Sequence, residues 1–405
     1  MTEPELSFES LSVHAGQEPD ELTGDVAPPI YQTSTFRQDG VGRPRRGYEY
    51  ARTQNPTRER LERAVAALEG GAHGIAFASG SATTATLGEL ALPGEEIVVG
   101  DDVYGGTYRF FERVLRPRGV DARYVDLAAD PANIVTALTD RTRLVWLETP
   151  TNPLLKLVDI GAVAAAVRGH TGARRERPLL VVDNTFASPA AQRPLELGAD
   201  VVFHSSTKYL AGHSDTVNGV AATADPALAE RLRFLQNAIG AVPVPFDCFL
   251  VLRGLRTLAI RAERHAANAL AVARFLAARG DLEWVRHPGL VDGPHAHPQA
   301  ALAARQMRLP GGMVSFVPAA GGRHGRSARE RAVAVCESTR LWTLAESLGG
   351  VESLVCHPAT MTHASVPAAE RTRLGIGDGM VRLSVGIEDG DDLEGDVARA
   401  LSAAG

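Results

Sequence analysis

Within the stretch Leu179 to Tyr209 a carboxylate and a primary amine each follow a short apolar run. Leu179-Leu180-Val181-Val182 leads to Asp183, and Val201-Val202-Phe203 leads through His204, Ser205, Ser206 and Thr207 to Lys208. Short valine-rich runs read as buried strands. In a parallel α/β sheet ligands gather outside the carboxyl ends of the strands, so the acid and the amine are expected on one rim. An amine there can form a Schiff base with an aldehyde, and a carboxylate can keep a pyridine nitrogen protonated. Pyridoxal 5'-phosphate (PLP) requires both groups from a protein.

Composition sharpens the assignment of the amine. Of 42 basic residues only Lys156 and Lys208 are lysines. Either basic residue can serve as a surface charge, but a guanidinium stays protonated and forms no Schiff base. A retained lysine is therefore a candidate for amine chemistry. Lys156 follows Pro153-Leu154-Leu155 in a turn-rich stretch and reads as a surface or structural residue; Lys208 reads as the reactive amine.

The elements that must carry these groups alternate along the chain. Apolar runs at 74–78, 96–100, 122–125, 144–147, 179–182, 201–203 and 219–222 are separated mostly by helix-like segments. This is the pattern of an α/β fold with a mostly parallel seven-stranded sheet. Three further strand ends offer chemistry. Ser79-Gly80-Ser81 turns into a helix whose first amides, with the helix dipole behind them, suit a phosphate, and Gly80 permits close approach. Tyr104, with Arg109 beyond it, can stack on a flat heteroaromatic ring. Asn152, in Glu148-Thr149-Pro150-Thr151-Asn152-Pro153, offers an amide.

Residues 1–57 carry many turn formers and read as an extended arm suited to contacting a neighbouring subunit. The arm ends in Tyr50, Arg52 and Asn55-Pro56, before an amphipathic helix over 59–68. Residues 58–247 form the expected cofactor-binding domain. A long helix over 248–278 bridges into a smaller C-terminal α+β domain, 248–405, in which 317–328 reads as a loop. In that domain Arg382 sits mid-strand among apolar residues. An unpaired charge there is costly, so it is expected either to grip a substrate carboxylate with its fork or to pair with an internal acid.

The net charge of -6 gives no electrostatic case for nucleic acid. No run approaches a membrane span, and the acidic amino terminus shows no secretory signal. Three widely spaced cysteines suit a reducing cytoplasm. His287, His295 and His297 form a poor metal ligand set, and no metal is expected. His204 and His213 read as structural, and Cys356 as inert. A nicotinamide oxidoreductase would need a G-x-G-x-x-G turn, which Ser79-Gly80-Ser81 does not supply. A scaffold without catalysis would not need both an amine and an acid on one rim.

The blocks YEYARTQNPTR, FASGSATT, DDVYGGTYR, ETPTNP, VVDNTFASP, HSSTKYLAGHSD, RLRFLQNAIGAVPVPFDC, LAESLGGVESL, MTHAS and VRLSVGIED occur in this order over nearly the whole chain. Together they resemble the PLP-dependent cystathionine γ-lyase/γ-synthase (Cys/Met metabolism) family. The resemblance implies a fold-type-I PLP enzyme, usually a homotetramer of two tight dimers that share active sites. It implies that Lys208 carries the cofactor and moves protons, with Tyr104 beside it as the second catalytic residue. Asp183 then pairs with the ring nitrogen, Tyr104 stacks on the ring, and Thr185 and Asn152 also touch the cofactor. Gly80, Ser81, Ser205 and Thr207 hold the phosphate, completed by Tyr50 and Arg52 from the neighbouring subunit. Asn152, Ser353 and Arg382 fall in the region of the substrate carboxylate; Glu49, Arg109 and Glu352 fall at the distal end of an amino-acid substrate. Gly106 stands where methionine γ-lyases commonly carry cysteine, and Glu49 where some synthases carry aspartate. The expected reaction is γ-elimination of L-cystathionine, with γ-replacement of an acyl-homoserine by cysteine, or a related γ-replacement, as the alternatives.

Overall fold

The computed structural model describes residues 6–170, 177–321 and 325–405. Seven strands form the larger sheet: β1 (His73–Phe77), β2 (Glu96–Gly100), β3 (Asp121–Val125), β4 (Thr142–Glu148), β5 (Leu179–Asp183), β6 (Val201–His204) and β7 (Gly219–Thr223). Their spatial order is β1-β7-β6-β5-β4-β2-β3. Only β7 runs antiparallel to its neighbours; the pairs β2–β3, β2–β4, β4–β5 and β5–β6 are parallel. The expected apolar runs and the observed strands coincide because all of these strands but the edge strand β3, whose residues are only partly buried, are covered on both faces. Val181, Val201, Phe203 and Trp146 pack into one apolar cluster, whereas Val182, Leu180, Val145 and Leu147 pack into another. A strand buried on both sides reads as a continuous apolar run.

The smaller sheet has five strands, β8 (Leu282–Arg286), β9 (Met313–Pro318), β10 (Thr343–Leu344), β11 (Leu354–Cys356) and β12 (Val381–Ser384), in the order β8-β9-β12-β11-β10. It is antiparallel except for β10 with β11.

Three expectations about the connecting elements change. The arm is not wholly extended, since Phe8–His14 forms a helix; residues 1–5, where the amino-terminal reading began, lie outside the described residues. The single helix expected over 248–278 is two helices, Pro245–Leu255 and Leu258–Ala277. The cause is tertiary. At the break the buried Arg261 donates to the Gly254 carbonyl at 2.7 Å and to Thr257 Oγ1 at 3.0 Å, and it also reaches the Tyr209 carbonyl at 2.7 Å. One guanidinium thus ties the helix end to the segment just past Lys208. Finally, the loop expected over 317–328 begins inside β9 and ends at the Ser327 cap of the helix Ala328–Ser338; its residues 322–324 lie outside the described residues.

The helix beginning at Pro56 shows how local sequence sets the arm. Asn55 caps it by accepting from the Thr57 and Arg58 amides, and proline occupies the first helical position, where its missing N–H costs nothing. Buried Arg58 then reaches back to the carbonyls of Ala51, Arg52 and Thr53, at 2.9, 3.2 and 2.6 Å. That clamp fixes the turn carrying Tyr50 and Arg52.

Candidate active site

The carboxyl ends of β4, β5 and β6 open into a cavity of about 640 Å³. Its walls include Gly80, Ser81, Tyr104, Arg109, Asn152, Asp183, Thr185, Ser205, Thr207, Lys208 and Arg382. Eleven of the residues singled out in the sequence therefore converge, from segments spread over most of the chain. A larger recess, about 1310 Å³, lies between the arm and the helix Pro56–Glu69 and contains none of them.

Lys208 projects from the segment after β6 and donates from Nζ to Ser347 Oγ at 2.9 Å. Burial, followed by the positive charge of Arg382, brings its ammonium down to about 8, against some opposition from Glu346. An amine so placed loses its proton far more readily than a surface lysine. Lys156, by contrast, is tied to Asp101 at 3.3 Å and lies near Asp126.

Asp183 is buried at the end of β5. Its Oδ1 accepts the Thr185 amide at 3.0 Å and the Thr185 hydroxyl at 2.5 Å. Thr185 Oγ1 in turn accepts the Ser205 amide at 2.9 Å. One hydrogen-bonded chain thus runs from the serine at the β6 end to the acid at the β5 end, which fixes their spacing. Burial raises the Asp183 carboxyl, and the two donations from Thr185 oppose that shift.

The helix Gly80–Gly88 aims its start at the cavity. Ser79 caps it by accepting the Ala82 amide, which leaves the amides of Gly80 and Ser81 among those a helix start cannot pair internally. A side chain at position 80 would bring a carbon to 2.7 Å from the Ser205 Cβ, so glycine is what lets the two loops close on each other. The Thr207 hydroxyl lies against Asn218, accepting its amide at 3.0 Å and donating to its carbonyl at 3.2 Å. Tyr104 leaves the sheet just past β2, partly exposed, with its amide donating to Glu148 Oε2 at 2.7 Å. A Cβ at Gly106 would meet the Tyr104 ring, so a side chain there would require that partly exposed ring to shift.

Arg382 makes no ion pair with an internal acid among the described residues. It donates to Asn152 Oδ1 at 2.8 Å and to the Ser347 carbonyl at 3.0 Å, so its charge remains uncompensated on the cavity wall. Asn152 accepts from the guanidinium through its Oδ1.

Two expected substrate residues are misplaced and two were missed. Ser353 is fully buried away from the cavity; its hydroxyl donates to Glu388 at 2.9 Å and accepts the Gly386 amide at 2.8 Å. Glu352 accepts from Ser214 and lies off the cavity wall. The wall is instead formed by Glu346 and Ser347. The segment Glu346-Ser347-Leu348-Gly349-Gly350-Val351-Glu352-Ser353 contains the pair Glu-Ser twice, and a turn with Gly349 at φ +73° carries the second copy away toward β11. Ser347 itself sits at φ +87°, a region serine occupies only at a cost of about 1–3 kcal/mol. The hydroxyl that meets Lys208 is held by a strained backbone. Exchanging Ser347 for alanine is expected to raise KM and shift the titration of Lys208. Ser353→Ala should leave both unchanged and lower the melting temperature, because it strips from the half-buried Glu388 carboxyl a hydrogen bond worth about 1–3 kcal/mol. Steady-state kinetics and thermal unfolding of the two variants separate these outcomes.

Glu49, Tyr50 and Arg52 do not reach the cavity of their own chain. Arg52 donates to the Asn237 carbonyl and side chain at 3.0 and 2.8 Å, and Tyr50 is exposed beneath it. Among the remaining sequence candidates, His287 and His297 are buried against the carbonyls of Gly311 and Leu155. His204 pairs with buried Glu69 at 2.5 Å, and all three cysteines are free and buried. Among the described residues no cluster of three potential metal ligands occurs, and no helix is long and apolar enough to cross a membrane.

A partly deprotonated amine, a buried acid, an exposed aromatic ring and a helix start lined by hydroxyls fit a flat heteroaromatic aldehyde bearing a phosphate. The comparisons with known proteins agree. The family model described as "Cys/Met metabolism PLP-dependent enzyme" matches residues 9–402. The chain is 52% identical over 391 residues to a cystathionine β-lyase of Coxiella burnetii, covering 96% of each. It is 52% identical to a cystathionine γ-synthase of Mycobacterium tuberculosis, covering 96% of this chain and 95% of that one, and 50% identical to the cystathionine γ-lyase of Mus musculus, covering 98% and 96%. A crystal structure of cystathionine γ-lyase from Lactobacillus plantarum, complexed with L-serine, superposes with a TM-score of 0.91 at 42% identity, covering 98% of this chain and 99% of that one. A cystathionine γ-synthase from Xanthomonas oryzae pv. oryzae, in complex with cystathionine, superposes equally well at 43% identity, covering 98% of each chain. The chain is a fold-type-I enzyme of the Cys/Met metabolism family, and its cofactor is pyridoxal 5'-phosphate.

Proposed function

We propose that the chain catalyses γ-elimination of L-cystathionine, releasing L-cysteine, 2-oxobutanoate and ammonia with the uptake of one water. The observation that carries this reading is the composition of the outer cavity wall. Glu346 and Arg109 line it together, a carboxylate and a guanidinium that match the ammonium and carboxylate at the far end of cystathionine. Arg382, charged and without an acid partner among the described residues, takes the near carboxylate, with Asn152 and Ser347 beside it.

When bound, the cofactor supplies an aldehyde and a cationic ring that draw electrons away from the substrate Cα. Lys208 Nζ would hold the aldehyde carbon and, once released, would carry one proton at a time: it takes the Cα proton and gives it up to the electron-accepting cofactor, and only then takes a Cβ proton, which ends on the departing γ-sulfur. Asp183 keeps the ring nitrogen protonated, and Tyr104 covers the ring face. Thr185, Gly80, Ser81, Ser205 and Thr207 hold the ring and phosphate. Tyr50 and Arg52 of a second copy complete the phosphate site, with Glu49 near the substrate, which gives the arm 1–57 its purpose and fits a homotetramer built as a dimer of dimers. The buried free thiols fit a cytoplasmic setting.

The γ-synthase reading uses the same residues up to loss of the γ-substituent, and relatives of both names are about equally similar. Purified protein is offered cystathionine alone, and separately an acyl-homoserine with cysteine. The proposal expects 2-oxobutanoate from the first at a rate exceeding cystathionine formation in the second. The reverse ratio assigns γ-replacement, and pyruvate with homocysteine from the first assigns β-elimination.

A further inference from the structure

Glu148 has no part in the steps above, yet it stands closer to Asp183 than any other acid position on the sheet. It closes β4 as Asp183 closes β5, and the two are register partners on adjacent parallel strands, which places their backbones about 4.8 Å apart with side chains on one face. Both line the cavity and both are buried, with 5% and 8% of their surface exposed. Neither forms an ion pair among the described residues. A third carboxyl, Asp102, lies buried in the loop leading to Tyr104.

Two buried carboxylates side by side cannot both stay ionised. The hydrogen bonds indicate which one yields. Asp183 Oδ1 receives two donations, one from a hydroxyl at 2.5 Å, and strong donors of this kind favour an anion. Glu148 faces only backbone amides, that of Tyr104 at 2.7 Å and that of Asn152, which oppose the rise in its carboxyl but from which a neutral acid or an amide oxygen can also accept. The charged or titratable groups acting on Glu148 are Asp183 from β5 and Asp102 from the loop after β2, with Lys208 and Arg382 on the same cavity wall. Burial first, and then the charge of Asp183, hold the Glu148 carboxyl well above the ordinary carboxylate range. Burial likewise pushes Asp102 up to about 6.

We propose that Glu148 is a positioning residue that works uncharged, pinning the loop of Tyr104 through its backbone amide while leaving Asp183 as the one anion offered to the ring nitrogen. Glu148 is thereby a neutral anchor, and its ionisation puts a second negative charge beside an anionic cofactor. The inference rests on Asp183 facing the ring nitrogen.

The test uses the apo-protein, without substrate, in two measurements. Infrared spectra at pH 7 are compared for wild type and Glu148→Gln. The wild type is expected to show a protonated-carboxyl carbonyl band that the variant lacks. Equilibrium binding of PLP is then followed from pH 6.5 to 9.5. The wild type is expected to lose affinity toward alkaline pH by about tenfold more than Glu148→Gln, the scale of one unit of pKa coupling. Identical infrared spectra, or identical alkaline profiles, would overturn the proposal. Should Glu148→Gln not fold, Asp183→Asn serves: removing the neighbouring charge must move loss of the acid band to lower pH, and an unmoved band overturns the proposal. If the wild type failed to bind PLP at all, the assignment of the cavity would fall, while the infrared result would still report the charge of Glu148.

Discussion

Lys208→Ala is expected to abolish the visible absorption of the PLP-loaded protein and to lower kcat by about 10⁴-fold or more, the upper range for loss of a catalytic base. Both effects follow from one atom. Nζ enters the cavity with Ser347 as its hydrogen-bond partner, and no second lysine is near, since Lys156 is engaged by Asp101. Lys156→Ala should therefore keep the visible band. The same amine sets a pH dependence. Attack on an aldehyde needs the unprotonated form, and burial and Arg382 bring that form within reach at about pH 8. The rate at which apo-protein takes up PLP should accordingly rise as pH passes through about 8 and level off above it, as stopped-flow absorbance would record. A rate that falls over this interval contradicts the assignment.

Asp183→Asn is the second large effect. The amide is nearly isosteric and can still accept from Thr185, so folding should survive; what goes is the negative charge. Without it the ring nitrogen is no longer held protonated, and Cα–H cleavage loses its electron sink. The expected loss in kcat is about 10²–10⁴-fold, with weaker retention of PLP on dialysis. A variant with wild-type turnover would show that the acid is only structural. The substitution also separates Asp183 from Glu148, its register partner, because only Asp183 is expected to act through its charge.

What the sequence disclosed, and what it withheld, divides along the range of the forces involved. Six of the seven strands were legible because burial on both faces makes each a short apolar run, and the partly buried edge strand β3 because it keeps Ala122, Tyr124 and Val125. Lys208 and Asp183 were legible because each follows such a run directly. The choice between Glu346-Ser347 and Glu352-Ser353 was not, because the pair repeats and only the turn at Gly349 decides which copy faces the cavity. The break between the helices Pro245–Leu255 and Leu258–Ala277 was hidden for a similar reason. It depends on Arg261 reaching carbonyls more than fifty residues away in sequence as well as those of its own helix end. Glu148 was readable as a strand end within Glu148-Thr149-Pro150, but its significance comes from lying beside Asp183, a relation that strand order alone creates.

The central claim is that the amine of Lys208 bonds the cofactor aldehyde. Borohydride reduction of the PLP-loaded protein makes that bond permanent, and peptide mass mapping then locates it. With only two lysines in the chain, the result is unambiguous. The phosphopyridoxyl group is expected on the peptide containing Lys208, and its recovery on Lys156, or on neither lysine, would contradict the account.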